Sequence, residues 1–283
     1  MPSSARETKK RKGKNRRIHR KNEWSFHALQ KKHGKDRNKT PEKENSPMSR
    51  IQVFQIRTEG FDDNFSYLLA AENGDAAMVD PCGDLTLVRE RLRALGESVR
   101  PRYLLLTHGH HDHVEGLSEA LSFFPGVPVS FGGGYGGASS SADSRKTDLA
   151  SRRRASAASD AVCGDDGGIR VKDGERLPFG EDSWIEVLHT PGHSWDSVCY
   201  RLGDDSAIFT GDTLFIGCCG YCRAKIMFRT LREKIFPLPD SLIVYSGHDY
   251  GDKPFDTLGN QKKINPCLAA EDFRSFRKAV EQL

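Results

Sequence analysis

No uninterrupted apolar run in this chain approaches the roughly 20 residues needed to cross a bilayer, so its body is expected to be soluble. No apolar segment follows the basic N-terminal residues, which speaks against a secretory signal. A mitochondrial transit peptide is poorly supported, because the cationic bias is towards Lys and no amphipathic repeat is clear. Cysteine is sparse and odd in number, seven in 283 residues. That count argues for reduced thiols in a cytosolic-type compartment over a disulfide framework. The CxxC at Cys219-Gly220-Tyr221-Cys222, preceded by Cys218, lacks a second pair to complete a zinc or redox signature. It is read as a loop near a cleft. Aliphatic residues are nearly missing from the first fifty positions, where 17 Lys or Arg stand against 5 Asp or Glu, a net +12. The other 233 residues then carry −8 of the whole-chain +4. With little to bury, residues 1–50 are expected to be disordered. Three readings stand for them: a nuclear-localisation or nucleic-acid-attracting arm, a plain solvated extension, or a stretch upstream of a true start at Met48. A cytoplasmic location is favoured, with mitochondrion and nucleus left open.

Residues 51–283 are of a length for one larger globular domain. Strands are expected at Ile51 to Arg57, Asn64 to Ala71 and Ala76 to Asp80, with Asn73-Gly74 turning the last two into a hairpin. A helix should follow, N-capped by Asp84, with Leu85, Val88, Leu92 and Leu95 at helical spacing and Gly96 at its end. A second helix is expected over Val114 to Phe124. Further strands are expected at Trp184 to His189, Ser197 to Leu202, Ser206 to Thr210 and Leu242 to Ser246, and helices at Ala224 to Ile235 and Glu271 to Leu283. Between about 132 and 168 the periodicity vanishes into Gly, Ser and Arg runs, which predicts a flexible surface insertion.

Four short segments carry the chemistry. Thr107-His108-Gly109-His110-His111-Asp112-His113 follows the apolar Tyr103-Leu104-Leu105-Leu106. Imidazole and carboxylate suit divalent zinc, iron and manganese. Alternate residues of an extended stretch share a face, so His108 and His110 can converge on one ion while the turn aims Asp112 and His113 at another. His193 in Thr190-Pro191-Gly192-His193, Asp212 in Thr210-Gly211-Asp212-Thr213, and His248 in Ser246-Gly247-His248-Asp249 each follow an apolar strand beside a Gly. That recurrence suits donors carried on loops at one edge of a sheet. Asp80, ending an apolar strand, is a candidate outer acceptor for the histidine loop.

The order HxHxDH, PGH, GDTLF and GHDY resembles the metallo-β-lactamase fold superfamily, with glyoxalase II as the nearest branch, over roughly Ile51 to Leu268. The resemblance implies an α/β fold, a four-layer αβ/βα sandwich with metals in a cleft at one edge of two facing sheets. Carried over by position, His108, His110 and His193 would hold one metal, Asp112, His113 and His248 a second, and Asp212 would bridge them. Two divalent ions are implied, zinc favoured and iron or manganese accepted. Asp112 and Asp212 are then the catalytic carboxylates of a thioesterase acting on a glutathione conjugate, with no Ser or Cys nucleophile required. The persulfide dioxygenase branch is the alternative. It resembles the chain in its short ending, with 35 residues after His248 and Ile264-Asn265-Pro266 among them, and uses one iron held by residues matching His108, His193 and Asp212. Both branches place a basic residue where Tyr221 stands, and Arg223 and Lys225 are near enough to substitute. Tyr250, beside His248, is a substrate contact by the same resemblance. A nuclease reading has the cationic tail in its favour and the acidic body against it. Nucleic acid is therefore expected to bind, if at all, through the tail.

Overall fold

The computed structural model describes the backbone of Glu23–Ser25 and residues 50–58, 60, 62–133 and 168–282. Side-chain alternation sorts the strands into layers. Seven strands form one mixed sheet among the described residues: Glu23–Ser25 (β1), Ile51–Arg57 (β2), Phe65–Ala71 (β3), Asp75–Val79 (β4), Arg100–Leu105 (β5), Val129–Gly132 (β6) and Gly168–Val171 (β7), neighbouring in chain order. Six form the other: Arg176–Pro178 (β8), Trp184–His189 (β9), Val198–Leu202 (β10), Ala207–Gly211 (β11), Ile243–Ser246 (β12) and Asp256–Thr257 (β13). Along β3, Phe65, Tyr67 and Leu69 point into the core between the sheets, and Leu68 points out to the helices. Along β11 and β12, Phe209 and Tyr245 face the same inter-sheet core, while Ile208 and Val244 face the opposite helix layer. A period of two thus gives each sheet two buried faces.

Thr86–Leu95 (α1), His111–Val114 (α2) and Leu117–Phe123 (α3) lie with the first sheet, and Leu85, Val88, Ala120 and Phe124 fill that outer core. Ala224–Thr230 (α4), Leu258–Ile264 (α5), Pro266–Ala269 (α6) and Phe273–Val280 (α7) cover the second, burying Met227, Leu258, Leu268 and Phe276. The result is the helix-sheet-sheet-helix sandwich that the resemblance implies. Its centre is aromatic: Tyr67 meets Phe209 edge-on at 5.1 Å, and Phe209 stacks on Tyr245 at 5.4 Å. Each such pair contributes about 0.5–1.5 kcal/mol beyond its buried area.

Several local expectations are corrected. Leu85, not Asp84, occupies the N-cap of α1, and the Asp84 carboxylate accepts from Thr86 N at 2.8 Å one step upstream. The helix expected over Val114 to Phe124 is split into α2 and α3 by Glu115-Gly116. A Cβ on Gly116 would come within 2.8 Å of the Pro81 carbonyl, so the chain passes too close there for any other residue. The helix expected over Ala224 to Ile235 changes after Thr230 into one π turn, Leu231–Ile235, where the Thr230 hydroxyl donates to Pro191 O at 2.6 Å. The last helix is shorter, capped by Asp272, whose side chain accepts from Ser275 N at 2.7 Å.

Residues 134–167 and most of 1–49 lie outside the described residues, and so do the expectations about them. Two corrections fall at their borders. Glu23–Ser25 pairs antiparallel with β2, so that stretch of the basic extension has strand structure. Gly132 ends β6 and Gly168 begins β7, so neither is loop. A Cβ on Gly132 would fall on the Asp196 carbonyl. Close backbone approach, not flexibility, accounts for that glycine.

Candidate metal centre

The donors leave the sheets at one edge. β5 runs through Thr107 into His108, β11 ends at Asp212, and β12 leads to His248. His193 follows β9 on the Pro191-Gly192 turn. Gly192 sits at φ 152°, and a Cβ there would strike the Met227 backbone.

All seven expected residues meet in two groups that could hold metal ions: His108, His110, His193 and Asp212, and Asp112, His113 and His248. Within the first, His110 Nδ1 lies 3.0 Å from His108 Nε2 and 2.8 Å from His193 Nε2. Within the second, His113 Nε2 and His248 Nε2 are 3.3 Å apart, and Asp112 Oδ2 is 3.5 and 3.4 Å from them. Asp212 faces both. Its Oδ2 is 3.3 Å from His193 Nε2, and its Oδ1 is 3.2 and 3.4 Å from His113 and His248 Nε2. His111, between them in sequence, points outward to Glu115 at 3.7 Å.

The outer nitrogens decide what faces inward. His113 Nδ1 is 2.9 Å from Asp80 Oδ2, His248 Nδ1 donates to Asp62 O at 2.7 Å, and His193 Nδ1 donates to Tyr221 O at 2.8 Å. Each outer N–H is therefore committed, and each Nε2 turns a lone pair inward. Asp212 Oδ1 is buried and has no hydrogen-bond partner. Lone pairs and a carboxylate crowded within hydrogen-bonding distance repel unless protons or a cation lie among them, so these residues fit divalent metals that displace protons.

Charge sorts the two positions. Burial, aided by neighbouring imidazoles, holds His108 and His110 below the usual histidine range. Burial also opposes protonation of His113, yet Asp212 and Asp80 outweigh it and raise its pKa well above that range. His248 is raised as well: burial works against the charge and Asp212 overcomes it. Asp212 is held far below the carboxylate range, since His113 and His248 more than offset its burial.

Asp80 supports the loop as expected. At φ 47° it accepts from Thr107 N and Thr107 Oγ1, each at 2.7 Å, besides bonding His113. Four supports carry no sequence signal: Asn64, whose amide donates to Asp112 Oδ2 at 3.1 Å; Asp196, which accepts from Gly109 N at 2.9 Å; and the carbonyls of Asp62 and Tyr221. Gly247 is a fifth. A Cβ there would sit 2.5 Å from Asp212 Oδ1 and 2.7 Å from His113 Cε1. Gly247→Ala is expected to lose about 1–3 kcal/mol by overpacking and to lower metal content, read by thermal melting and elemental analysis. Wild-type loading in that variant would refute the tightness of the centre.

Of the four residues expected to contact substrate, Tyr250 and the Tyr221 backbone lie against donors. Tyr250 stacks on His248 at 4.8 Å, meets Phe215 edge-on, and donates from its hydroxyl to Asp62. Tyr221 exposes 89% of its surface, and its carbonyl is the part that touches the centre. Arg223 lies over the Trp195 ring at 4.4 Å. Lys225 lines a cavity of about 930 Å³ with Trp195, Arg170, Lys172 and Arg229.

The family model of the Metallo-beta-lactamase superfamily matches residues 60–248, and the chain belongs to that superfamily. Fold, donors and relatives together make it a metallo-hydrolase of the glyoxalase II-like kind. It is 30% identical over 261 residues to a probable hydroxyacylglutathione hydrolase of Schizosaccharomyces pombe, covering 78% of this chain and 88% of that one. It is also 30% identical over 222 residues to the mitochondrial persulfide dioxygenase of Homo sapiens, covering 74% of each. The crystal structure of ETHE1 from Myxococcus xanthus superposes with a TM-score of 0.61 at 26% identity, covering 81% of this chain and 89% of that one. Among the described residues no helix is long and apolar enough to cross a membrane.

Proposed function

We propose that the chain hydrolyses a thioester of a glutathione-type thiol, using two divalent cations, with zinc favoured. One observation carries this reading: the second donor group, Asp112, His113 and His248, is complete and shares Asp212 with the first. Divalent ions held there would lower the pKa of bound water to roughly 7 and polarise the thioester carbonyl.

The chain's own residues supply the rest. Asp212, 9% exposed, is fixed between the two groups, and Asp112, 23% exposed, is the donor carboxylate more open to the cleft. Asp112 orients the attacking water by accepting its hydrogen bond, and Asn64 holds that carboxylate in place. Tyr250, half-exposed beside His248, contacts the acyl or thiol portion. Lys225, Lys172 and Arg229 line the cavity that begins at Pro191 and Trp195, two residues either side of His193. Lys172 and Lys225 beside Trp195 and Ile226 suit the carboxylates and peptide stem of a glutathione-like thiol, while Arg229 pairs with Glu233 and Lys234 with Asp173 in the same lining. Arg223, braced on Trp195, is the cation nearest in sequence to the position where Tyr221 replaces a basic residue.

A second reading is persulfide oxidation by one iron at His108, His193 and Asp212, favoured by the likeness to the human dioxygenase. Elemental analysis of protein purified without added metal, paired with assays on a glutathione thioester and a glutathione persulfide, separates the two. We expect two metals per chain, thioester cleavage and no oxygen uptake. One iron with oxygen consumption on the persulfide would replace the hydrolase reading.

A further inference from the structure

The loop bearing Cys219-Gly220-Tyr221-Cys222 plays no part in the chemistry above except through its backbone. There it touches the metal centre three times: Gly220 N donates to Asp212 O at 3.1 Å, Tyr221 O accepts from His193 Nδ1 at 2.8 Å, and Arg223 N donates to Gly192 O at 2.9 Å. A Cβ on Gly220 would lie 3.1 Å from His193 Nδ1, so the loop rests directly on that imidazole.

Its thiols are gathered. Cys219 and Cys267 on α6 are buried in the core between the second sheet and its helices, and Cys222 packs against that same cluster. The neighbouring thiols of Cys222 and Cys267, together with burial, push the Cys219 thiol up, and Cys219 lowers the pKa of Cys222. Cys222 is partly exposed, and all three are free. Among the described residues, only the two groups of the centre bring donors close enough together for an ion, so the thiols do not form a third metal position. A partly exposed cysteine three positions from a buried one, in a Cys-Gly-Tyr-Cys loop, is the arrangement of a peroxide-oxidisable pair.

We propose that Cys219 and Cys222 form a reversible disulfide that turns the Tyr221 carbonyl away from His193 and so weakens the first metal position. The oxidant is a peroxide. The Cys222 thiolate attacks one peroxide oxygen, the O–O bond breaks and hydroxide leaves, giving a sulfenic acid. Cys219 sulfur then attacks that sulfur, the S–S bond forms, the S–O bond breaks, and the Cys219 proton leaves with the oxygen as water. Two thiols are oxidised while one peroxide is reduced to two waters. The ring closed by this bond contains the Tyr221 peptide, so the carbonyl cannot keep its direction independently of the two sulfurs. A small-molecule thiol reverses the change by exchange.

The test uses the full chain loaded with zinc and treated with one equivalent of hydrogen peroxide. Intact mass should fall by two hydrogens, and peptide mapping should link Cys219 to Cys222. Zinc affinity at the position that includes His193 should drop roughly 10–100-fold, as for loss of an outer partner to a ligating histidine. Dithiothreitol should restore both readings. Cys222→Ser should bind zinc like the reduced wild type and lose the response to peroxide. The proposal is overturned by a link between other cysteines, by direct passage of Cys222 to sulfinic acid, by a disulfide that leaves zinc affinity unchanged, or by a zinc held on the thiols of the untreated protein. None of these readings needs a substrate, so their failure leaves the hydrolase reading standing.

Discussion

Asp212→Asn is expected to empty both halves of the centre while leaving the fold intact. Asp212 is the donor that faces both groups, Oδ2 towards His193 and Oδ1 towards His113 and His248. The amide keeps the shape and removes the charge on which two cations depend. It also offers N–H groups to the inward lone pairs of the imidazoles, which satisfies the apo site and disfavours loading further. Activity should fall by more than the roughly 10–100-fold typical of losing an outer partner. Metal content, circular dichroism and turnover read the three consequences separately. Normal metal content in this variant would remove Asp212 from the role given to it here.

Metal removal should reverse the dependence of stability on pH. In the stripped protein the raised pKa of His113 means that its protonated form is stabilised by Asp212 and Asp80. That contribution is full below the unfolded value of about 6.5 and is lost as pH rises through the folded value. His248, also raised, adds in the same sense. The stripped protein should therefore weaken from mildly acidic pH upward. Asp212, with its lowered pKa, contributes stability above its unfolded value of about 3.9 and loses it as pH falls below that range. In the loaded protein the cations replace the imidazole protons, so loading weakens towards acid. The gap between loaded and stripped forms should widen with pH. At a thousandfold excess of metal over Kd it should reach about 4 kcal/mol, on the order of 10 °C in Tm. Melting curves across neutral pH, with and without chelator, decide the matter. Parallel curves would mean that the imidazoles do not exchange protons for metal.

The donors could be read from the chain because each is a chemically distinctive side chain placed just past an apolar strand beside a Gly. The four-layer fold came from the family resemblance of the motifs that carry them, and alternation along β3, β11 and β12 realises it by sending residues to two cores. What holds the donors was mostly hidden. The carbonyls of Asp62 and Tyr221 belong to the backbone, which every residue has, so nothing in the residue type announces them. Asn64 reaches Asp112 across 48 positions, a proximity that only folding creates. The short helices α5 and α6 have too few turns to show a period. Asn265-Pro266 did carry a start signal: Asn265 accepts from Cys267 N and Leu268 N, with Pro at the first helical position.

Asn64 and His248 also form an isolated antiparallel bridge, so the two sheets touch through their backbones beside the second donor group. His108, His110, Asp112 and His113 come from one sheet and His193, Asp212 and His248 from the other. Aromatic rings glue the interior of the sandwich, whereas at the rim the sheets meet through a few hydrogen bonds, to which coordination would add a fastener. An ion held by either group would work as a rivet through both plates, and its removal would leave a sound middle with a looser mouth.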